Sequence, residues 1–340
     1  MYQSIRPLLF KLDTETAHGL TLNLLRLAGA IPPVIWGLDR FFQAPARPAE
    51  AFGLKFKNPV GLAAGYDKDG LALRGLAALG FGHLEIGTVT PRPQPGNPKP
   101  RLFRLPEDQA IINRMGFSGM GAGFVARRVS SFSRRPRSVV IGVNLGKNKD
   151  TPLEEAAQDY IVLLRQFMPL ADYLTINISS PNTAGLRRLQ GREMLEALLG
   201  AIARERDAIA VGRGGDAPVL VKLAPDLSDA ELEDAVGVIL EAGMDGVIAT
   251  NTTLSREALR SRHQAEAGGL SGKPLTRLSD AVLSKVVKQV AGKVPVVGVG
   301  GITCPEDAKR KLDLGATLVQ VYTGMIYAGP ALVKDILLKM

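Results

Sequence analysis

The segment at residues 295–324, PVVGVGGITCPEDAKRKLDLGATLVQVYTG, contains the alternation that decides the fold. Two short β-rich apolar runs at 296–299 and 318–322 enclose a stretch, 305–314, whose apolar residues have helical spacing. Gly315 follows this stretch, where a residue in the left-handed conformation commonly ends a helix before the next strand. The segment therefore predicts a strand, a helix and a second strand, the repeating unit of a parallel sheet.

The same alternation is repeated along the chain from Val60 onward. The apolar runs lie at 60–64, 84–89, 139–144, 173–178, 219–223, 246–250, 296–299 and 318–322. Helical spacing is found at 153–168, 193–209, 229–242, 279–290 and 305–314. Gly243 and Gly292 follow two of these stretches, as Gly315 follows the last. Eight strands in one chain match a closed barrel better than an open doubly wound sheet, so we predict an α/β fold, a (β/α)8 TIM barrel.

Composition excludes several classes of protein. The 340 residues are 46% hydrophobic and 22% charged, an ordinary globular mixture that excludes disordered and fibrous chains. Cys304 is the one cysteine, so an intramolecular disulfide and a cysteine-ligated iron–sulfur cluster are impossible. The three histidines, His18, His83 and His263, are far apart and lack the spacing of metal ligands. We therefore expect no metal site.

The net charge of +9 favours an anionic partner, which could be a nucleic acid, an acidic membrane surface or an anionic substrate. Basic residues are spread along the chain, with short clusters only at 127–128, 134–135 and 187–188. No RNA-binding or helix-turn-helix signature accompanies them. A solvated basic surface explains this pattern better than a nucleic-acid partner, and we expect none.

Residues 1–45 differ from the rest of the chain and predict a helical extension, with the barrel domain at 46–340. Asp13 could cap a helix that ends near Ala28 and carries Ala17, Leu20, Leu24 and Leu27 on one stripe. Pro32 and Pro33 follow, and then an apolar cluster of Val34, Ile35, Trp36, Leu38, Phe41 and Phe42. This is more apolar surface than two short helices can hide. It fits either a pair of helices packed on the barrel or an in-plane membrane anchor.

No apolar run reaches the roughly 18 to 20 residues that cross a bilayer, and no signal-peptide pattern is present. We therefore expect the chain neither to span a membrane nor to be secreted. Between the extension and the barrel, Phe52, Leu54 and Phe56 alternate with small or basic residues. They predict a short hairpin that covers the floor of the barrel.

All eight predicted strand ends are polar or rich in glycine. In this fold, the carboxyl ends of the strands form the active site. The polar or glycine-rich ends are 64–68, 87–88, 144–146, 177–182, Lys222, 250–252, 298–301 and 322–324. The glycines at 298–301 and 322–324 end strands seven and eight, where the fold commonly binds a phosphate. They could also serve only to make tight turns.

Lys68 and Lys222 end strands one and five, where an inward ammonium needs an anion. One could pair with a substrate carboxylate, and the other could stabilise negative charge on a reduced flavin. Lysine tips that reach solvent remain the alternative for both.

Five motifs in a fixed order resemble those of the dihydroorotate dehydrogenases, and the match extends from residue 1 to the C-terminus. The motifs are NRMGF at 113–117, NISSPNT at 177–183, KLAPD at 222–226, ATNTT at 249–253 and GGLSG at 268–272. One departure follows the first motif, where the family usually has two asparagines and this chain has Ser118 and Gly119. We expect altered loop flexibility or lost secondary hydrogen bonds there, rather than a different substrate.

The resemblance implies an FMN cofactor and a dihydroorotate or orotate site. The implied FMN positions are Ala64, Gly65, Tyr66, Asp67, Lys68, Thr88, Asn144, Asn177, Lys222, Thr250, Gly272, Gly301, Tyr322 and Thr323. The implied substrate positions are Lys68, Asn113, Arg114, Met115, Gly116, Phe117, Asn177, Asn182, Asn251 and Thr252. A pyrimidine dione with a carboxylate offers amide edges to asparagines and one anionic group to a lysine, which is consistent with this set.

Ser180 matches the catalytic base of the membrane-linked, quinone-using branch, whereas the soluble branches have a cysteine at that position. Thr183 and Phe117 match positions that shape its proton relay. The N-terminal extension also resembles the quinone-using branch, with His18 and Arg104 at positions of its quinone tunnel. The resemblance therefore implies a quinone acceptor and peripheral association with a membrane, and we expect a monomer. The absence of a transit peptide and of a transmembrane helix favours the cytoplasmic face of a bacterial inner membrane over a mitochondrial location.

Two other hypotheses are compatible with parts of the sequence. Another FMN barrel, such as a 2-hydroxy acid oxidase or a soluble dihydroorotate dehydrogenase that reduces fumarate or NAD, is disfavoured by Ser180 and the extension. A noncatalytic barrel that binds a phosphorylated ligand or nucleic acid would explain the positive charge. That barrel would carry no flavin.

Overall fold

The computed structural model of the protein describes residues 2–134, 139–213 and 217–340. The strands are β1 (Ala49–Ala51), β2 (Leu54–Phe56), β3 (Val60–Leu62), β4 (His83–Val89), β5 (Leu102–Leu105), β6 (Ala110–Asn113), β7 (Val140–Leu145), β8 (Tyr173–Asn177), β9 (Val219–Leu223), β10 (Gly246–Ala249), β11 (Gly269–Gly272), β12 (Val296–Val299) and β13 (Leu318–Val321). The helices are α1 (Tyr2–Lys11), α2 (Thr14–Ala28), α3 (Pro32–Phe42), α4 (Leu73–Ala77), α5 (Gly121–Ser133), α6 (Ala156–Phe167), α7 (Arg192–Arg213), α8 (Asp229–Glu241), α9 (Thr276–Val290), α10 (Pro305–Asp313), α11 (Thr323–Ala328) and α12 (Leu332–Lys339).

Eight parallel strands form a closed barrel in the order β3, β4, β7, β8, β9, β10, β12 and β13. The barrel closes where β13 pairs with β3, with Val319 opposite Val60. The predicted (β/α)8 barrel is confirmed, and the eight predicted runs match its strands with boundary differences of at most two residues. Gly243 and Gly315 have positive φ angles of 65° and 103°, as expected of residues that end a helix before a strand.

The barrel floor is covered by the antiparallel hairpin of β1 and β2, which the alternation of Phe52, Leu54 and Phe56 predicted. Phe56 is buried against interior residues of the barrel, including Tyr173 and Leu220. The floor is therefore apolar, and the polar strand ends lie at the opposite end of the barrel.

A second, antiparallel sheet in the order β11, β6, β5 was not predicted. A bridge between Thr253 and Leu270 attaches it to the segment that follows β10. The sheet thus lies at the carboxyl ends of the barrel strands. Its strands are only four residues long and lie within loops of the barrel, so no regular alternation marked them.

The N-terminal extension contains three helices, where the sequence suggested two. The predicted cap of α2 is present, because Asp13 Oδ1 accepts a hydrogen bond of 2.9 Å from the Thr16 amide. Much of the apolar surface of the extension remains uncovered, including Trp36 at 71% and Phe41 at 64% exposure. Within the described residues, no single helix is long and apolar enough to cross a bilayer. Helices α2 and α3 meet that test only as a pair, which bends by 109°.

Candidate active site

A cavity of about 940 Å³, open mouth included, lies at the carboxyl ends of the barrel strands. Most of the predicted cofactor and substrate positions line it together. These are Ala64, Gly65, Lys68, Thr88, Asn113, Gly116, Phe117, Asn177, Ser180, Asn182, Lys222, Thr250, Asn251, Thr252, Gly272, Gly301, Tyr322 and Thr323. Val299, Gly300 and Gly324 also line it, and they lie in the glycine-rich strand ends that the sequence predicted to bind a phosphate. Sequence reasoning assigned no site role to five other lining residues, namely Ala63, Ser271, Leu275, Ile302 and Gln320. Ser271 lies inside the glycine-rich motif at 268–272, which was the available signal for it.

Five predicted cofactor and substrate residues do not line this cavity. They are Tyr66, Asp67, Arg114, Met115 and Asn144. Both carboxylate oxygens of Asp67 accept hydrogen bonds of 2.8 Å from the amides of Leu71 and Ala72, so this side chain holds the loop after β3. Asn144 is fully buried and supports the cavity from below.

Arg114 and Met115 face away from the cavity. Arg114 forms an ion pair of 2.5 Å with Glu266, and its guanidinium lies 4.5 Å from the centre of the Phe103 ring. The backbone amide of Met115 donates a hydrogen bond of 2.8 Å to Asn113 Oδ1. The Met115 amide thus orients the Asn113 side chain at the cavity wall, whereas Arg114 ties its loop to Glu266 and Phe103.

A buried ion pair lies beneath the cavity. The Lys222 ammonium is 3.8 Å from Glu85 Oε1, and their side chains are 5% and 0% exposed. Glu85 also accepts hydrogen bonds of 2.8 Å from Asn144 Nδ2 and 2.9 Å from Gln320 Nε2. Burial lowers the pKa of Lys222, and the Glu85 carboxylate opposes this shift. The anion that Lys222 was expected to need is therefore supplied in part by the protein itself.

Glu85 was missed because the prediction considered only residues after each strand, and Glu85 lies in the middle of β4. A glutamate inside the apolar run HLEIGTV was the available signal. A carboxylate fully buried in a strand requires a counter-charge or donors, and Lys222 and Asn144 provide both.

A chain of side-chain hydrogen bonds fixes the asparagines of the cavity. Asn177 Nδ2 donates bonds of 2.9 Å to Thr88 Oγ1 and to Asn144 Oδ1. The Ser179 hydroxyl donates to Asn177 Oδ1 at 3.0 Å, and Asn251 Nδ2 donates to Ser179 Oγ at 2.9 Å. These amides are therefore oriented before any ligand arrives, which lowers the entropic cost of binding one.

Ser180 is buried at the cavity wall, and its Oγ accepts a hydrogen bond of 3.2 Å from the Asn182 amide. Phe117 lines the same wall, and Thr183 is buried in the loop that follows Ser180. Among the described residues, no histidine or carboxylate hydrogen-bonds the Ser180 hydroxyl. The immediate surroundings of Ser180 are thus hydroxyl, amide and aromatic groups.

Lys68 lies at the mouth of the cavity, where its ammonium donates to Gly116 O at 3.0 Å and to Ser118 Oγ at 3.2 Å. Burial, aided by the charge of Arg101, lowers the pKa of Lys68 to about 8. Ser118 is one of the two residues that depart from the family motif. The departure therefore places a hydroxyl in direct contact with Lys68.

A second cavity of about 1140 Å³ lies between the N-terminal helices and the barrel, and most of its lining is apolar. We call it the apolar cavity, and we call the cavity at the strand ends the active-site cavity. The predicted quinone-site residues His18 and Arg104 both line the apolar cavity, as does Tyr66. Tyr322 lines both cavities, so the two spaces are separated by a shared wall.

The polar groups of the apolar cavity are few. Arg104 Nη1 donates to Phe10 O at 3.1 Å and its guanidinium lies 4.3 Å from the centre of the Phe10 ring. Arg104 Nε is buried and has no hydrogen-bond partner among the described residues. The His18 ring packs edge-on against Tyr66 with centroids 5.1 Å apart, and burial lowers the pKa of His18 to about 4. The cavity thus presents one cationic donor and a neutral imidazole.

Within the described ranges, no group of three or more histidine, cysteine, aspartate or glutamate side chains could hold a metal ion. Of the short basic cluster at 134–135, Arg135 lies outside the described residues.

Comparison with known proteins identifies the family. The model of the family described as dihydroorotate dehydrogenase matches residues 48–340. The chain belongs to the dihydroorotate dehydrogenase family. This confirms the resemblance that the five motifs predicted.

Relatives within the dihydroorotate dehydrogenase family match almost the whole chain. A protein of Burkholderia thailandensis named dihydroorotate dehydrogenase (quinone) is 51% identical, with 98% of this chain and 97% of the relative covered. A protein of the same name from Roseiflexus sp. is 50% identical, with 99% and 92% covered. The crystal structure of the dihydroorotate dehydrogenase of Eimeria tenella with ferulenol has a TM-score of 0.87 at 38% identity and covers 97% of this chain and 93% of its own.

Proposed function

We propose that this protein oxidises (S)-dihydroorotate to orotate with FMN as its cofactor and passes the electrons to a membrane quinone, as a step of de novo pyrimidine synthesis. The observation that carries the proposal is the pair of cavities that share Tyr322 as a wall. One cavity is lined by amides, hydroxyls and two lysines, and the other is mostly apolar. Two chemically different substrates can therefore react in turn at one cofactor between them.

The residues of the active-site cavity fit FMN. Thr88, Asn177 and Lys222 present hydroxyl, amide and ammonium groups to the same space, which suits the polar edge of a flavin ring. At Gly272 and Gly324, a Cβ atom would lie 2.3 Å from Gln109 O and 2.0 Å from Ile302 O, so the backbone packs too closely there for any side chain. Gly301 and Thr323 line the same cavity, and a glycine-rich wall with a hydroxyl suits a phosphate, which backbone amides and hydroxyls bind. When bound, FMN supplies the capacity to accept a hydride and to release electrons to the second substrate.

The substrate would be held by Lys68 and by the asparagines at 113, 177, 182 and 251. Oriented amides can pair with the edges of a pyrimidine dione, and the Lys68 ammonium can pair with its carboxylate. The Met115 amide would hold the Asn113 side chain in place for the substrate. The Ser118 hydroxyl accepts a hydrogen bond from the Lys68 ammonium and would help to position it.

Ser180 would act as the base that removes the proton from C5 of dihydroorotate. A serine is a poor base at its ordinary pKa, so its own proton must leave as the C5 proton arrives. The amide of Asn182 donates to Ser180 Oγ and helps to stabilise negative charge that develops there. Thr183 and Phe117 would shape the path by which the hydroxyl proton leaves and would limit the access of bulk water.

The apolar cavity would admit the quinone, with Arg104 or neutral His18 donating to a quinone carbonyl. The uncovered apolar residues of α2 and α3, together with Arg6, Lys11, Arg26 and Arg40, support peripheral contact with an acidic membrane surface. We further propose that this surface is the cytoplasmic face of a bacterial inner membrane, that the protein is a monomer, and that residues 1–45 and 46–340 serve as quinone-access and catalytic parts.

The proposed reaction is tested by the spectrum of the purified protein and its response to dihydroorotate. A bound flavin should bleach anaerobically with dihydroorotate, and quinone should restore the colour faster than fumarate or NAD. Bleaching by a 2-hydroxy acid instead, or reoxidation by fumarate or NAD in preference to quinone, would identify one of the other FMN barrels. A colourless protein that binds no added FMN would overturn the proposal.

The division of labour is tested by deleting residues 1–45 and comparing only folded, flavin-loaded protein. Flavin reduction by dihydroorotate should survive, because every residue assigned to FMN or substrate lies after Val60. Reduction of long-chain quinones and binding to liposomes should be lost, while small water-soluble acceptors still react. Retention of both by the shortened protein would contradict the assignment of residues 1–45.

A further inference from the structure

A third cavity, of about 950 Å³ with its mouth, lies where α2, α4 and α5 meet. It shares no lining residue with the active-site cavity or the apolar cavity. Arg26 of α2, Arg74 of α4 and Arg128 of α5 all line it, and we call it the three-arginine cavity. Three arginines from three separate helices thus border one space.

Small residues create this space. Helices α2 and α4 approach so closely that a Cβ atom on Gly75 would lie only 2.2 Å from Leu25 O, and glycine at this position permits the contact. Gly29 and Ala30, at the end of α2, and Ala72, before α4, leave the space beside this contact open. The cavity is therefore a consequence of how the extension packs on the barrel.

The positive charge of the cavity is not neutralised by the protein. None of the three arginines forms an ion pair with any carboxylate of the described residues. Arg128 is held in place by hydrogen bonds from its Nε to Gly70 O at 3.2 Å and from its Nη2 to Leu71 O at 2.7 Å. Asp67 lies close enough to interact with Arg128 electrostatically, but its two oxygens are already bonded to backbone amides. Arginines without a carboxylate partner suit a phosphate, which a guanidinium binds through charge-assisted hydrogen bonds.

The position of the cavity indicates which phosphate it meets. Leu27 lines it and is 56% exposed, and Ile31 follows at the turn between α2 and α3. If the apolar residues of these helices enter the acyl region, the mouth of the cavity lies at the level of the lipid headgroups. The cavity is thus continuous with the proposed membrane-binding surface.

We propose that the three-arginine cavity binds the phosphate of an anionic phospholipid headgroup and so sets the orientation of the extension on the membrane. The inference rests on the proposed membrane association and adds a lipid class to it. Burial of apolar side chains alone would hold the protein on any bilayer. A phosphate site would in addition select anionic lipid, and it would fix the direction in which the mouth of the apolar cavity faces.

The test is flotation of the full-length, flavin-loaded protein with vesicles of phosphatidylcholine alone or with added phosphatidylglycerol. The double variant Arg26→Gln/Arg74→Gln should bind the anionic vesicles roughly 30-fold more weakly. Each arginine near the surface contributes about 1 kcal/mol to binding, and about 1.4 kcal/mol corresponds to a tenfold change in affinity. Its binding to neutral vesicles should not change. The matched control Lys288→Gln/Lys293→Gln removes two exposed charges near the end of α9 and should bind both vesicles as the unaltered protein does.

A second variant separates a built site from diffuse attraction. Arg26→Lys/Arg74→Lys keeps both charges but loses the two-point hydrogen bonding, so anionic binding should still weaken, by roughly tenfold. Full retention of binding by the lysine variant would overturn the site and leave only general electrostatics. Saturable binding of inorganic phosphate that leaves flotation with the anionic vesicles unchanged would also overturn it, because the occupant would then be free phosphate.

Failure of this inference and failure of the proposed function give different results. Equal binding of the unaltered protein to neutral and anionic vesicles would overturn the headgroup site alone. No binding to either vesicle would overturn membrane association as well. Flavin reduction by dihydroorotate, measured in the same variants, should stay within about twofold of the unaltered rate, because the cavity shares no residue with the active-site cavity.

Discussion

The active-site cavity and the apolar cavity differ in how their charged groups are held. Lys222 is paired with Glu85 within a network in which Asn144 and Gln320 also bond the carboxylate. Arg104, in contrast, donates one hydrogen bond to Phe10 O and packs against the Phe10 ring. Its Nε has no hydrogen-bond partner among the described residues.

This difference matches the two kinds of ligand that we propose. A polar ligand with several hydrogen-bonding edges requires donors and acceptors that are already oriented, and a buried network provides that orientation. An apolar ligand with two carbonyl groups requires a dry channel and a single donor. The shared Tyr322 wall keeps these two environments apart while they remain adjacent.

The largest expected effect is in the active-site cavity, from Ser180→Ala. Flavin reduction by dihydroorotate should slow by roughly 10²- to 10⁴-fold, because the base is lost. Reoxidation by quinone should not change, since the apolar cavity is untouched. Stopped-flow measurement of each half-reaction tests this, with Ser284→Ala on the exposed face of α9 as control. Equal slowing of both half-reactions would contradict the separate roles proposed for the active-site cavity and the apolar cavity.

Glu85→Gln should reduce the free energy of unfolding by about 3–5 kcal/mol, because it leaves the Lys222 ammonium buried without its carboxylate. Glu241→Gln is the control, since its pair with Arg192 is 3.7 Å long and exposed and should contribute less than about 1 kcal/mol. Urea unfolding of flavin-loaded protein measures both. Equal stability of the two single variants would show that the buried pair is not the support described here.

Arg104→Gln addresses the apolar cavity. It should raise the KM for a long-chain quinone by roughly 10- to 100-fold. This change corresponds to the loss of one charge-assisted hydrogen bond, which contributes about 1.5–3 kcal/mol. Arg165→Gln is the control, because Arg165 is an exposed cation paired with Glu205 and lines neither cavity. A change in dihydroorotate kinetics, or an equal effect of Arg165→Gln, would contradict the proposed role.

The two cavities should also differ in their pH dependence. The pKa of Lys68 is about 8, so the ammonium is present below that pH and is lost as the pH rises through it. The kcat/KM for dihydroorotate should therefore fall by about tenfold per pH unit above about pH 8. Lys68→Arg should remove this decline. His18, with a pKa of about 4, is neutral from pH 6 upward, so quinone reduction should show no inflection from it.

Much of the barrel and of the site could be predicted from local patterns. Short β-rich runs separated by helical spacing define βα units, and the carboxyl ends of such strands meet at one edge. For this reason Lys222, Asn177 and Thr250 could be assigned to one site before the structure was considered. The hairpin that contains Phe56 was also predicted, because an alternation of period two is a local property.

Features that depend on distant parts of the chain were not predicted. The pairing of β6 with β11 joins residues more than 150 positions apart, such as Asn113 with Gly269. The contact of Ser118 with Lys68 joins two loops, and its hydroxyl became relevant only when their distance was known.

The sequence by itself determined the fold class, the family and the set of polar residues at the strand ends, because each depends on short-range spacing. Tertiary structure decided which groups meet. It paired Glu85 with Lys222, gave Tyr322 to both cavities and left Arg26, Arg74 and Arg128 around one open space. The physical reason is that charge pairing and cavity shape depend on distances between side chains, which closure of the barrel and packing of the extension fix only together.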